Sequence, residues 1–525
     1  MTELKTAGAA SNPSGRVQPR MIRNVLANWG GYLFNIAITF FLSPFVVHHL
    51  GDSLYGIWVL IVSVTGYLGL LDMGVRGAVT RYISKFHAES NHRDANRTAS
   101  SAIVIFAGFG LVAIGIAVVV AFTLLDRLHI PAEYQHAARI VLMISGFTVA
   151  TSLLSGVFGG IIVALHRFDL TNLVEMVGAV LRSSTIVFIL LHGGGLISLA
   201  VIQLGSALLI GIAYATLAFR LYPELHPGLI DADRDHFKLI FSFSIYSFVL
   251  SIFTYLILYT DSIVIAAVLP ISFVTFFSIA SNLITYSRGL LSGITSTMTP
   301  LASRLEAEGK MDELRRVVLV TSRTASGLMF PVLLTLLIRG KTFIGLWMGA
   351  EYAELSGHIL WILCIYQFMG PGTSVAWAVL MGVSKHKKLV PMYLAESFSN
   401  LALSIILAKK IGVVGVAWGT TIPSLAINLF FWPWYMKRAL GIAPGKWAAY
   451  AWIQPLGAML PFAICTYVID RYWPVHHLVT FFSQVALACI VAFFGFWYWC
   501  LNAAERGNYL GRAKQTFGWS SGAPA

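Results

Sequence analysis

Apolar runs of twenty residues or more follow one another along almost the whole chain, separated by short polar connections. An α-helix needs ~20 apolar residues to cross the hydrocarbon of a bilayer, whereas barrel strands are ~10-residue alternating segments. The runs here do not alternate, so they predict membrane-spanning helices. They lie at 24–48, 54–74, 98–125, 137–165, 171–191, 196–219, 239–268, 273–295, 318–338, 356–382, 389–408, 412–436, 447–469 and 477–500. The expected fold class is an all-α polytopic membrane protein with about 14 transmembrane helices. The first apolar stretch is too long for the core of a signal peptide and reads as the first span.

The pattern repeats. Shifting "LGDSLYGIWVLIVSVTGYLGLLDMGVRGAVTRYISKFHAESNHRDANR" by 219 positions lays it on "LPISFVTFFSIASNLITYSRGLLSGITSTMTPLASRLEAEGKMDELRR", with ten of 48 positions identical. Tyr67/Tyr286, Gly74/Gly293, Thr80/Thr299, Glu89/Glu308 and Arg97/Arg316 are among them. The offset spans six crossings, an even number, so the two halves have equal orientation and a pseudo-symmetry axis along the membrane normal. Two six-helix pseudo-symmetric lobes facing one another make a V with a central cavity. The expected organisation is a tail at 1–23, a first lobe at 24–222, an inter-lobe loop at 223–238, a second lobe at 239–440, a helix pair at 441–500 and a tail at 501–525.

Composition agrees with a membrane class: 57% of the 525 residues are hydrophobic and 11% are charged, against roughly a quarter charged in soluble domains. The net charge of +13 arises mostly in alternate connections, which places them, and both termini, in the cytoplasm. The basic residues are scattered among short loops and not gathered on one face, which disfavours nucleic acid and favours membrane lipids as the partner. Four cysteines, in or at the end of spans and without metal-ligand spacing, predict neither a disulfide nor a metal site.

Charged residues within the bilayer are expensive and need a partner, a wet cavity or an escape to the interface. Asp72 lies near the inner end of span two, with Arg76 four residues on. Two readings stay open: an i,i+4 ion pair that settles the helix at the interface, or a carboxylate at the mouth of a cavity. Asn172, Glu175 and Arg182 share one face of span five, and Ser281, Thr285, Arg288, Ser292 and Thr295 form a stripe on span eight. Asp261 in span seven, and Glu396 with Asn400 in span eleven, are deep polar groups of the second half. Either structural pairing or proton or cation coupling accounts for them. Asn28 and Asn35 share a face of span one, where interhelical hydrogen bonding is the simpler reading. Cavity candidates are therefore Arg182, Arg288, Asn28, Asn35, Glu175 and Asn282. Coupling or gating candidates are Asp72, Arg76, Asp261, Glu396 and Asn400. Only Arg182 and Arg288 read as arginines deep in spans, and no catalytic cluster stands out.

"LGDSLYGIW", "LDMGVRGAVTRYI", "TDSIVIAAVL", "GLWMGAEY" and "ESFSNLALSIILAKKIGVVGVAWGTTI", in that order, resemble the polysaccharide or oligosaccharide (O-antigen-type) flippases of the multidrug/oligosaccharidyl-lipid/polysaccharide exporter superfamily. The resemblance covers residues 21 to 440. It implies the lobed fold of the multidrug and toxin extruders, a lipid-linked oligosaccharide as substrate, and a bacterial cytoplasmic membrane location. The family's glycine-rich segment and basic residue fall on Gly74 and Arg81, its acid in span seven on Asp261, and its acid and amide in span eleven on Glu396 and Asn400. Pro270 departs from a glycine common in the family.

On this reading the protein is not an enzyme and carries no cofactor, with H+ or Na+ coupling left open. Polysaccharide polymerase or export machinery are candidate partners. The competing readings are a multidrug and toxin extruder, a lipid II flippase and a membrane glycosyltransferase or polymerase. The extruder usually has twelve spans and an acidic cavity, and the glycosyltransferase needs a catalytic cluster or an outer platform.

Overall fold

The computed structural model describes residues 19–228, 231–507 and 511, without the side chains of 19–29, 33, 243–247, 249–250 and 386–387. The first half comprises α1 (Pro19–Leu50), α2 (Asp52–Leu68), α3 (Val75–Ala88), α4 (His92–Thr123), α5 (Ala132–Ala164), α6 (Phe168–Leu191) and α7 (Leu196–Leu221). The second comprises α8 (Arg234–Val268), α9 (Ser272–Gly289), α10 (Ser292–Ala307), α11 (Met311–Trp347), α12 (Ala350–Gln367), α13 (Gly370–Gly382), α14 (Val390–Ile411), α15 (Val413–Ala426) and α16 (Trp432–Leu440). The short helices α17 (Pro444–Ala448) and α18 (Gln454–Ala458), with α19 (Leu460–Tyr472) and α20 (Leu478–Gly495), follow.

Among the described residues, eleven helices are long and apolar enough to cross a membrane, or thirteen segments if each of two bent pairs is one span. The bends are 47° between α12 and α13 and 40° where α17–α18 meets α19. The remaining expected span is α9 running into α10. Its composition is diluted by Ser278, Ser281, Asn282, Thr285 and Arg288.

The repeat reappears as two broken spans. After α2 the chain makes a 3-10 turn over Gly69–Asp72, passes through left-handed Met73 (φ 45°) and Gly74 (φ 77°), and restarts as α3. Its counterpart breaks at Leu290 and Leu291, between α9 and α10.

Burial shows how the halves meet. At the end away from the basic connections, one apolar cluster takes residues from both, including Val47, Leu50, Leu128 and Leu190 with Ile271, Trp347, Tyr352 and Val413. At the basic end there are two separate clusters. One joins Val79, Phe106, Ile161 and Ala218; the other joins Met298, Val318, Val379 and Trp432. Apolar burial stabilises only surfaces in contact, so the lobes are closed together at one face and diverge toward the basic one.

Specific bonds complete the closure. Trp347 Nε1 donates to the Phe40 carbonyl (2.8 Å), the His129 amide to the Ala266 carbonyl (3.0 Å), and Thr275 Oγ1 to the Asp52 carbonyl (2.7 Å). Tyr352 Oη donates to Asp52 Oδ1 at 2.5 Å. Gly56 permits this approach: a Cβ there would come within 2.4 Å of the Ile271 carbonyl oxygen. Helix α8 is shared, with Ile240 in the first-lobe cluster and Asp261 bonded to α15.

The last two spans are fastened to the second lobe. Arg339, 1% exposed, donates to Asp470 Oδ1 (3.0 Å) and Gln484 Oε1 (2.7 Å), and Arg323 donates to Glu505 Oε1 (2.7 Å). This corrects the expectation of only two deep arginines. Helix α11 runs well beyond the expected 318–338, and Arg323 and Arg339 are buried in it because α19, α20 and the segment after them supply their acceptors.

Candidate functional site

Among the described residues, four cavities lie in series along the inner helices of the two lobes. The largest, about 580 Å³, is in the first lobe and is lined by Asp72, Arg76, Glu175, Arg182, Gln203 and Tyr214, with several hydroxyls of α5. A second, about 430 Å³, shares Asp72 and Arg76 with it and adds Trp58, Tyr255 and Tyr259. The third, about 490 Å³, shares Trp58 and Tyr259 and reaches Asp261, Asn282 and Arg288. The last, about 390 Å³, shares Arg288 and Tyr366 and ends at Glu396 and Asn428.

In the first lobe, the broken second span decides where Arg76 goes. The Asp72 carboxylate accepts from the Arg76 backbone N–H (3.3 Å), which satisfies one of the orphan donors at the start of α3. The link between these residues is thus a helix cap, and not the side-chain ion pair that was one of the two open readings. The guanidinium instead lines the cavity, packed over Gly156, where a Cβ would lie 2.7 Å from its Nη2. Thr80 Oγ1, one turn on, donates to the Gly160 carbonyl (3.2 Å) and holds α3 against α5.

Glu175 and Arg182 line the same cavity, and Glu175 Oε1 accepts from Tyr214 Oη at 2.8 Å. Asn172 lies beside Gly31 of α1. Arg81 sits beyond the cavity on α3, with its guanidinium over the Tyr82 ring at 5.8 Å. Asn35 is half-buried and is not among the residues lining these four cavities. The Asn28 side chain lies outside the described residues.

In the second lobe, Asp261 of α8 and the neighbouring Glu396 and Asn400 of α14 converge on the hydroxyls of α15. Thr420 Oγ1 donates to Asp261 Oδ2 (2.8 Å) and accepts from Asn400 Nδ2 (3.0 Å); Ser424 Oγ donates to Glu396 Oε1 (2.7 Å). Asp261, Glu396 and Asn400 are 7%, 8% and 2% exposed, so the hydroxyls of α15 are what make their burial tolerable. The other oxygen of Asp261 has no hydrogen-bond partner among the described residues. Arg288 donates to Gln367 Oε1 (2.9 Å) and to Tyr366 Oη (2.5 Å), which uses two of its five donors.

Thr420 and Ser424 were not singled out from the sequence. The signal was present as hydroxyls at i and i+4 in "GTTIPSL", on a helix that otherwise reads as apolar. Gln203, Tyr214 and the α5 hydroxyls Thr148, Ser152 and Ser155 were missed as well. The last three recur at i, i+4 and i+7 and so share a face.

The sequence model of the family described as "Polysaccharide biosynthesis protein" matches residues 21–306. The chain belongs to that family. The "Putative O-antigen transporter" of Shigella flexneri is 22% identical to it over 403 residues, 76% of this chain and 93% of that one. The "Uncharacterized membrane protein EpsK" of Bacillus subtilis (strain 168) is 20% identical over 448 residues, 82% of this chain and 87% of the other.

Among solved structures, the family member resembles the lipid II flippase MurJ in an inward closed conformation. The TM-score is 0.70 at 15% identity, over 90% of this chain and 98% of MurJ. An inward-facing multidrug resistance MATE family transporter of the MOP superfamily gives a TM-score of 0.66 at 15% identity, over 78% of this chain and 94% of that one. Identities this low show a fold shared with these two structures and leave the substrate to the residues of the cavity.

Proposed function

We propose that this protein is a flippase that carries a polyprenyl-pyrophosphate-linked oligosaccharide from the cytoplasmic to the outer leaflet of a bacterial inner membrane by alternating access of two lobes. The observation that carries the proposal is a first-lobe cavity with two guanidiniums, Arg76 and Arg182, among hydroxyls. A pyrophosphate cannot cross hydrocarbon unaided, because desolvating its charge costs too much. Guanidinium offers planar, charge-assisted donors suited to phosphate oxygens. The family description, and the name of the Shigella flexneri relative, agree with a glycan as cargo.

In this reading residues 24–222 and 239–440 are the rocking lobes, 441–500 is a helix pair carried on the second, and the basic end faces the cytosol. The described state is then the one that loads. Substrate enters between the separated clusters, its headgroup meets Arg76 and Arg182, and the lipid tail stays in the bilayer. With the cell interior negative, outward movement of an anion is favoured by ~2.3 kcal/mol per charge per 100 mV. Asp261, with Asn400, Thr420 and Glu396 around it, is the proposed site where a proton or sodium ion couples to the cycle. Polymerase or export machinery would take the product at the outer face.

A cation-exporting extruder on the same fold is the weaker reading, because the family description and the name of the Shigella flexneri relative both point to a glycan. The deciding experiment is gene deletion followed by mass spectrometry of lipid-linked glycans, with an impermeant reagent reporting the leaflet. Accumulation on the cytoplasmic face is expected. Normal outer-face delivery together with drug hypersensitivity would replace the flippase by the extruder, and a reporter between His87 and Arg97 found outside would reverse the topology.

A further inference from the structure

The cavities at the two ends of the series differ in chemistry. In the first lobe the lining is guanidinium, carboxylate and hydroxyl, and its one aromatic ring, Tyr214, spends its hydroxyl on Glu175. In the second lobe the 390 Å³ cavity is walled by Tyr366, Trp377, Tyr393 and Trp432. Trp377 on α13 and Tyr393 on α14 are half-buried, with ring centroids 5.5 Å apart and planes at 87°. The edge of one ring thus points at the face of the other, and the pair forms a corner.

Local packing fixes that corner. Thr299 Oγ1 of α10 donates to the Ala378 carbonyl, next to Trp377, at 3.0 Å. Gly382 lies so close to α10 that a Cβ would meet the Thr299 carbonyl oxygen at 2.4 Å. Planar polar groups stand around the rings. Arg288 keeps three of its five N–H donors beyond those given to Gln367 and Tyr366. Asn428 donates to the Ser424 carbonyl (2.6 Å), and its Oδ1 has no partner among the described residues.

We infer that this second-lobe cavity is a sugar subsite, with Trp377 and Tyr393 as the stacking platform for a pyranose ring of the oligosaccharide beyond the one joined to the pyrophosphate, and that the first-lobe cavity holds the phosphates. This rests on the flippase reading and assigns the substrate's two chemistries to different lobes. The C–H face of a pyranose is apolar and faintly positive, and packs on the negative face of an aromatic ring. Its equatorial hydroxyls radiate in the ring plane toward donors and acceptors such as Arg288 and Asn428. A volume near 390 Å³ lies at the lower end of small-molecule pockets, about 300–1,000 Å³, suited to one or two sugar rings and not to a whole repeat unit. An aromatic pair at the lipid-facing interface would need no such neighbours; here Glu396 and Arg288 share the wall.

The test uses full-length protein in nanodiscs and three probes read by native mass spectrometry: undecaprenyl pyrophosphate, the same lipid bearing one N-acetylglucosamine, and the same lipid bearing a repeat-unit oligosaccharide. For the wild type, the lipid bearing the oligosaccharide is expected to bind tenfold or more tightly than the bare lipid. Trp377→Ala and Tyr393→Ala should each remove that increment and leave the bare lipid bound as before. Trp377→Phe should keep most of it, and Arg182→Gln should weaken all three probes by the same factor. The proposal is overturned if the wild type does not distinguish sugar-bearing from bare lipid, or if Trp377→Ala and Tyr393→Ala keep the increment. It is also overturned if they weaken bare and glycosylated lipid alike, at unchanged thermal midpoint. Failure of every lipid to bind the wild type would instead remove the flippase reading, and this subsite with it.

Discussion

Replacing Tyr352 by Phe tests whether the closed face is a gate. Asp52 opens α2 just after Gly51 (φ 76°), and Tyr352 lies in the first turn of α12 just after Gly349 (φ 122°). Two tight turns therefore bring together a carboxylate of one lobe and a phenol of the other, 300 residues apart. A hydrogen bond to a charged group contributes about 1.5–3 kcal/mol when buried. Tyr352 is 5% exposed but Asp52 is only half-buried, so solvent screening lowers the figure to about 1–2 kcal/mol. The bond exists only while the lobes are closed here. Its loss should shift the equilibrium toward opening at this face by roughly fivefold to thirtyfold, at 1.4 kcal/mol per tenfold. The reporter is Ser281→Cys in the central cavity, in a chain whose four native cysteines are replaced, labelled by an impermeant thiol reagent from the side opposite the basic loops. When opening is faster than labelling, the rate follows the open population. Tyr352→Phe should raise it by that factor, and Asp52→Asn, which keeps a weaker neutral bond, by less. An unchanged labelling rate in a folded Tyr352→Phe protein refutes the reasoning.

Gly156→Ala should displace the Arg76 guanidinium, since a Cβ there stands 2.7 Å from it, and lower flipping in proteoliposomes severalfold at unchanged expression. Asp261→Asn and Glu396→Gln should alter the sodium or pH dependence of transport; if both leave it untouched, the coupling role is withdrawn. Arg339→Met removes the buried partner of Asp470, a change worth 3–5 kcal/mol when both charges are buried and about 2–3 kcal/mol here, because Asp470 is 29% exposed. Thermal unfolding should show that loss, and the double variant Arg339→Met/Asp470→Leu should recover part of it. Asp233 caps α8, and its carboxyl is held below the usual range by the Asp235 amide and then by His236 and Arg97. A depressed pKa contributes stability above the unfolded value that disappears as pH falls through the folded one. Hydrogen exchange in the first turn of α8 should therefore quicken only in strong acid, and Asp233→Ala should quicken it at neutral pH.

The spans were legible because about twenty apolar residues in a row have few other stable settings. Where the structure departs from that reading, burial by distant partners is the reason. Arg323 and Arg339 were assigned no cavity or pairing role, yet both are buried in α11 and bond to residues 182 and 131 positions away. The α9–α10 span is the least apolar of the series, since its polar stripe faces a cavity and not lipid. The cost of Asp261 and Glu396 at depth was readable from sequence, and so was their helical placement. What satisfies them was not, because Thr420 lies 159 residues from Asp261, and short-range periodicity carries no such information. Asp72 and Arg76 show the opposite limit: the i,i+4 spacing was right, but the left-handed turn at Met73 and Gly74 made the carboxylate a cap and freed the guanidinium.

That freed guanidinium bears on how an anion can be released after being bound. Arg76 and Arg182 share their cavity with Asp72 and Glu175, whereas Arg288 in the second lobe stands between cavities that also hold Asp261 and Glu396. With every one of these carboxylates ionised, the first lobe would be balanced and the second would be one negative in excess. On the proposed function, a pyrophosphate held by the first lobe is repelled by the second unless Asp261 or Glu396 carries a proton or a sodium ion. Neutralising either carboxylate would then favour the loaded state, and re-ionising it would favour release. A ligand moves a conformational equilibrium only through different affinities for its two states. A carboxylate whose charge depends on which face is open supplies that difference without the arginines having to move.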